Sequence, residues 1–116
     1  MQAVFKELPA FARWREHYLS DDDYLRLQME LMQKPDRGDV IQGTGGLRKL
    51  RFASRNRQKG KRSGLRVIYF WRISASQFWM FSIYDKDEVS DLSPQQRQLL
   101  HDLLKRELRL PGELDE

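Results

Sequence analysis

The sequence contains no cysteine. Disulfides, thiolate metal sites and a cysteine nucleophile are therefore excluded. Histidine is nearly absent too: His17 and His101 each fall in a segment of helical pattern, far apart in the chain. Neither a paired-histidine ribonuclease nor a histidine metal site is expected from them. No stretch approaches the roughly 20 apolar residues that span a bilayer. The opening MQAVFKELPA lacks the apolar core of a signal peptide, so a cytoplasmic protein is the expectation. Asp21, Asp22 and Asp23 read as a helix start rather than a metal cluster. Gly43-Thr44-Gly45-Gly46 lacks the Gly-Lys-Ser/Thr that opens a helix after a phosphate loop. No metal and no other cofactor is expected.

The most informative absence is that of acid. The 45 residues from Val40 to Tyr84 hold ten Lys/Arg and neither Asp nor Glu, although the whole chain is only +4. The remaining 71 residues carry eleven Lys/Arg and all seventeen acids, a net −6. Ordinary solvated surfaces mix both signs, whereas concentrated positive charge suits a polyphosphate partner.

Against these absences stand 116 residues, 40% of them hydrophobic, with three Trp, four Tyr and six Phe. That is enough for one core and one domain over 1–116. Residues 2–6 suit a short edge strand. Phe11, Trp14, Tyr18 and Leu19 recur at helical spacing after Pro9. Ser20 then caps a second helix over about 21–34, with Leu25, Met29 and Met32 on one side and Leu27 and Leu31 widening the stripe; Pro35 ends it. A glycine-rich loop (36–46) leads into a strand where Leu50 and Phe52 take one face, Lys49 and Arg51 the other. Residues 55–64 have no apolar side chain and read as an exposed, mobile hairpin loop. Strands over 65–73 and 77–84 are apolar nearly throughout, as if covered on both faces, and meet at a tight turn, 74–76. Ser93, Pro94 and Gln96 carry the start signals of a last helix, with leucines 99, 100, 103, 104 and 108 as its stripe and Pro111-Gly112 as its stop. The class is α+β: an antiparallel sheet of about four strands, two N-terminal helices and a C-terminal helix.

Cations are the chemistry this layout offers. Lys49 and Arg51 share a strand face, hairpin pairing brings Arg66 alongside, and Lys86 follows the third strand. Together they suit adjacent phosphates of one RNA strand, with Tyr69, Tyr84 or Trp71 as a stacking surface for a base. RNA cleavage needs the 2′-hydroxyl held in line with its own phosphate, a proton acceptor, charge stabilisation and a proton donor. A lysine crowded by other cations is one candidate acceptor.

The run Gly43–Tyr69, with GTGGLRKLRFAS, a basic loop and SGLRVIYF, resembles the RelE/ParE toxin superfamily, and HigB-type (RelE-like) members of type II toxin–antitoxin systems most closely. The likeness continues through YDKDEVSDLS into the last helix and takes in EHYLSDDDY and GDVIQGTGG. It implies a microbial-ribonuclease-like antiparallel sheet with helices on one side. It also implies metal-independent cleavage of mRNA in the ribosomal A site, and hence the 70S ribosome and mRNA as partners. A HigA-like helix-turn-helix antitoxin is implied as a further partner. By position, Lys49 and Arg51 match the paired basic residues of the first strand, Arg66 the arginine opening the next, and Lys86 a basic position after the last. The pattern departs at Asp87, where RelE has a second arginine, and at Ser93, where RelE has a tyrosine. Tyr84 and Lys86 are then the candidates for acid and base. Arg48, Arg55, Arg57, Lys59, Lys61, Arg62 and Tyr69 are candidates for RNA and ribosome binding, the loop 55–62 as a tether to ribosomal RNA. Two other readings remain open: a ParE-type gyrase poison on the same fold, and an RNA- or ribosome-binding module that cuts nothing.

Overall fold

The two best-marked helices begin where local capping chemistry puts them. In the computed structural model, which describes residues 2–54, 64–89 and 91–110, the first strand, β1 (Val4–Glu7), leads into α1 (Pro9–Tyr18) and α2 (Asp21–Gln33). The Ser20 Oγ accepts from the Asp23 N–H at 3.1 Å, and all three acids lie in the first turn of α2, near its positive end. The last helix, α3 (Pro94–Arg109), opens on a complete capping box. Gln96 N–H donates to Ser93 Oγ at 3.1 Å, while Ser93 N–H donates to Gln96 Oε1 at 2.8 Å. Each such cap stabilises a helix by about 1 kcal/mol.

Between α2 and α3 run β2 (Asp39–Val40), β3 (Arg48–Phe52), β4 (Leu65–Arg72), a 3-10 turn (Ile73–Ala75) and β5 (Gln77–Asp85). The sheet order is β1-β5-β4-β3-β2. It has five strands where four were expected, and it is mixed: β1 pairs with β5 in parallel, the other pairings being antiparallel. The fifth strand, β2, is two residues inside the glycine-rich loop. It forms because the loop folds back on itself. The Thr44 hydroxyl donates to Ile41 O at 2.7 Å and accepts from Leu47 N–H at 3.2 Å, closing the turn that returns the chain as β3. Gly38 permits the close approach, since a Cβ there would meet the Lys49 backbone and the Tyr69 ring at 3.0 Å.

Both faces of the central strands are covered, but by helices on both sides rather than one. Tyr24, Leu27 and Leu31 of α2 and Phe11 of α1 pack against Leu50, Phe52, Val67, Tyr69, Phe78 and Met80. On the opposite face, Leu104 of α3 packs with Ile68, Trp79, Phe81 and Leu47. The buried stripe of α2 is therefore Tyr24, Leu27 and Leu31, whereas Leu25 and Met29 are exposed. On α3 only Leu104 is buried, and Leu99 is 61% exposed.

The start of α2 also fixes the end of β3. The Ser54 hydroxyl donates to the buried Asp23 Oδ2 at 2.5 Å, and the Arg26 guanidinium donates to Ala53 O at 2.5 Å while lying 4.3 Å from the Phe52 ring centroid. The basic loop that follows, together with Pro111-Gly112, lies outside the described residues.

Two buried tyrosines tie loops to this core. The Tyr69 hydroxyl donates to Pro35 O at 2.7 Å and accepts from Gly38 N–H at 3.0 Å; the Tyr24 hydroxyl donates to Glu7 Oε2 at 2.8 Å. Burial is the main cause pushing both pKa values up, reinforced at Tyr24 by the Glu7 carboxylate and opposed at Tyr69 by the Gly38 bond and the Arg48 charge. Their protonated forms thus stabilise the fold fully below the ordinary tyrosine value of about 10, and that stability is lost as pH climbs from there toward the folded values. The urea midpoint should therefore fall above about pH 10, and less steeply in Tyr24→Phe than in the wild type. A midpoint that stays level across that range contradicts the assignment.

Candidate nucleic-acid interface

Strand alternation alone would not assemble the cationic face. On β3, Lys49 and Arg51 point away from the α1–α2 core, and the β3–β4 register sets Lys49 opposite Ile68 and Arg51 opposite Arg66. On β5, Phe78 and Met80 face the α1–α2 core, so strict alternation would send Tyr84 there too. An irregularity intervenes: Ile68 pairs with Ser82, but Tyr69 pairs with Met80, leaving Phe81 as an extra residue on β5. This bulge turns Ile83 into the core and brings Tyr84 opposite Arg66 on the other face. Arg51, Arg66 and Tyr84 form one row across three strands.

That row lies in a groove of about 890 Å³, whose walls include Lys49 and Lys86. The Lys86 N–H donates to Gly64 O at 2.8 Å, which fixes the lysine at the end of the β4–β5 pair. Five more polar residues reach the groove from elements that the sequence reading did not connect with it: Glu30, Arg37, Asp39, Gln42 and Arg97. Asp39 stands opposite Lys49 across the β2–β3 ladder, and Asp87 also lines the groove. A segment free of acid in sequence is therefore not free of acid in space. One local signal did point to Arg97: the first turn of α3 has no acidic residue, contrary to the usual preference at a helix start.

Tyr84 is half-buried, and burial pushes its pKa up; Arg66 opposes the rise and Asp91 adds to it. Its hydroxyl therefore holds its proton at neutral pH, which suits donation. The cations beside it suit the negative charge of a phosphate in transit to a pentacoordinate state. Among the described residues, no cluster of three or more His, Cys, Asp or Glu side chains is placed to hold a metal ion. Nor is any described helix long and apolar enough to cross a membrane.

The structure brings together Lys49, Arg51, Arg66, Tyr84 and Lys86, and separates three other candidates from them. Arg48 lies on the opposite face of β3, where its guanidinium donates to Gly38 O at 2.7 Å and Asp36 O at 3.3 Å. Its charge is spent on holding the 36–38 turn. Tyr69 is fully buried against Phe78 in the α1–α2 core and offers no face to a base. Trp71 stacks on the same Phe78, with ring centroids 4.4 Å apart. Arg55, Arg57, Lys59, Lys61 and Arg62 lie outside the described residues.

A mixed five-stranded sheet between helices, with a cation-lined groove on one face, defines the class: a small α+β protein with a cationic sheet surface. No family model matches the chain. Among solved structures it is similar to a doubly substituted Escherichia coli toxin RelE in the free state, with 18% identity, 78% of this chain and 90% of that chain covered, and a TM-score of 0.50. It also aligns with the same mutant in complex with an antitoxin RelBc peptide, at 18% identity over 78% and 92% of the two chains and a TM-score of 0.49. The isolated E. coli RelE toxin aligns at 15% identity over 90% and 98%, TM-score 0.49. The chain has the RelE-like fold.

Arg51 and Arg66 stand directly opposite each other, an arrangement that costs a sheet roughly 0.2–1 kcal/mol. Arg51→Gln should raise the free energy of unfolding by about that amount, as read from urea titration. A loss of stability would show instead that Arg51 serves the fold.

Proposed function

We propose that the chain is the toxin of a type II toxin–antitoxin system, a metal-independent endoribonuclease of HigB type that cleaves mRNA in the ribosomal A site. The observation that carries this reading is the row Arg51–Arg66–Tyr84 with Lys49 and Lys86 in one groove. Two like charges set side by side weaken the isolated protein, and a bound phosphate relieves that repulsion.

In the proposed reaction the 2′-oxygen of the message forms a bond to the adjacent phosphorus and loses its proton to a base. The bond from phosphorus to the 5′-oxygen breaks, and that oxygen takes up a proton. Lys49, Arg51 and Arg66 hold the phosphate and balance the charge that grows on it. Tyr84, kept protonated by burial, donates to the departing oxygen. Lys86, at the rim beside it, is the candidate acceptor. The ribosome supplies the message in an extended conformation, and a HigA-like helix-turn-helix antitoxin holds the toxin inactive. Translating ribosomes and their messages place the activity in the cytoplasm.

In a purified translation system with a defined message, the wild type should cut within the reading frame, and Lys49→Ala/Arg66→Ala should leave the message whole. Intact message with the wild type, while peptide is being made, overturns the proposal. Gyrase–DNA cleavage complexes without loss of message would assign the fold to gyrase poisoning instead. Tyr84→Phe keeps the ring and loses the proton donor. Single-turnover cleavage on programmed ribosomes should slow by about 100-fold or more, and a rate within twofold of wild type would remove Tyr84 from the chemistry.

A further inference from the structure

Outside the cationic row, one side chain stands apart: Arg97. It sits one turn into α3, just past the capping box at Ser93, where the helix carries its positive end. A cation is disfavoured there, and the first turn has no acid to offset it. The other arginines placed by the helix, Arg106 and Arg109, are in its last turn, where the same dipole favours them. Arg97 takes part in none of the ion pairs seen among the described residues. Its Nε is buried and has no hydrogen-bond partner among them. A buried N–H without an acceptor is an unfavourable state that a native fold rarely keeps without a use.

The side chain also has a direction. Arg97 lines the same groove as Lys49, Arg51, Arg66, Tyr84 and Lys86. The strand cations form the floor of that groove, and α3 packs on the same face of the sheet through Leu104. Arg97 thus comes from a helical wall rather than from the sheet. A guanidinium presents its N–H groups as a planar fork, which matches two oxygens of one phosphate.

We propose that Arg97 is a substrate-binding residue, gripping an RNA phosphate from the helix side of the groove while the strand cations hold the backbone from below. This rests on the reading of the groove as an RNA site. The terminal N–H groups of the guanidinium meet the phosphate, and its charge offsets the clash between Arg97 and the helix dipole. The interaction forms in the complex only, so the free protein carries the strain and the bound one loses it.

The test is binding of a single-stranded, 2′-O-methylated RNA oligonucleotide, which cannot be cut, followed by fluorescence anisotropy across a salt series. Arg97→Gln should weaken binding roughly tenfold and reduce the slope of log affinity against log salt by about 0.7, the value for one phosphate contact on a single strand. Arg97→Lys should keep the slope, because the charge is retained, while losing part of the affinity to the missing fork. Arg109→Gln, at the far end of the helix, should leave the slope as in the wild type. Thermal melting separates binding from structure: Arg97→Gln should melt at or above the wild-type temperature, since a cation leaves the positive end of α3. An unchanged slope in Arg97→Gln, with a reduced slope in Lys49→Ala/Arg66→Ala, overturns the role of Arg97 and leaves the groove standing. A lowered melting temperature with an unchanged slope makes Arg97 structural and overturns it likewise. Unchanged slopes in all variants, or no binding by the wild type at low salt, contradict the groove reading and this one with it.

Discussion

The arrangement of this protein depends on the pairing of β4 with β5 and on the single extra residue in that pairing. β4 is the central strand: on one face it carries Val67 and Tyr69 into the α1–α2 core, on the other Ile68 under α3. A strand buried on both sides has no freedom to slip, because a shift by one residue would exchange its faces. That rigidity fixes Arg66. The bulge on β5 then decides what stands beside Arg66, changing the phase of the strand so that Tyr84 shares the arginine's face and Ile83 fills the core. A bulge weakens the ladder locally, and here it falls three residues before Tyr84.

Charge enters on top of that frame. Arg51 is held opposite Arg66 by backbone hydrogen bonds that take no account of side-chain repulsion. The strands are anchored well enough to impose it: Ser54, Arg26 and Asp23 clamp the end of β3 onto α2, and the Lys86–Gly64 bond closes the same end of the β4–β5 pair. Arg97 is forced into the same region by a helix whose capping box fixes its starting point. The cations are together because packing elsewhere is strong, which is the usual relation between a preorganised anion site and the scaffold that carries it.

How much of this could be read from the residues depended on range. Helix starts were legible because Ser20 and Ser93 act on groups three residues away. The alternation of Lys49 and Arg51 against Leu50 and Phe52 was legible for the same reason. The two-residue β2 was not, since nothing in Asp39-Val40 marks a strand until Thr44 closes the turn. The parallel entry of β1 was hidden as well, because its partner, β5, lies some seventy residues on. An apolar stripe on α3 gives no hint of which sheet face it covers, so helices expected on one side occupy both. Tyr69 and Arg48 were misplaced in a similar way. Each projects to the side of the sheet away from the groove, and both are used on the 35–38 turn. The bulge was invisible in QFWMFSIY, where nearly every residue is apolar and either phase looks buried.

The central claim is that this surface cuts RNA by turning the message's own 2′-hydroxyl on its phosphate. Analysis of the ends left on a message cleaved by the wild-type protein during translation tests it most directly. Attack by the 2′-hydroxyl leaves a 2′,3′-cyclic phosphate, or its opened form, on the upstream fragment and a 5′-hydroxyl on the downstream one, with the cut in the A-site codon. A 3′-hydroxyl facing a 5′-phosphate, or no cut in a message being translated, would contradict it.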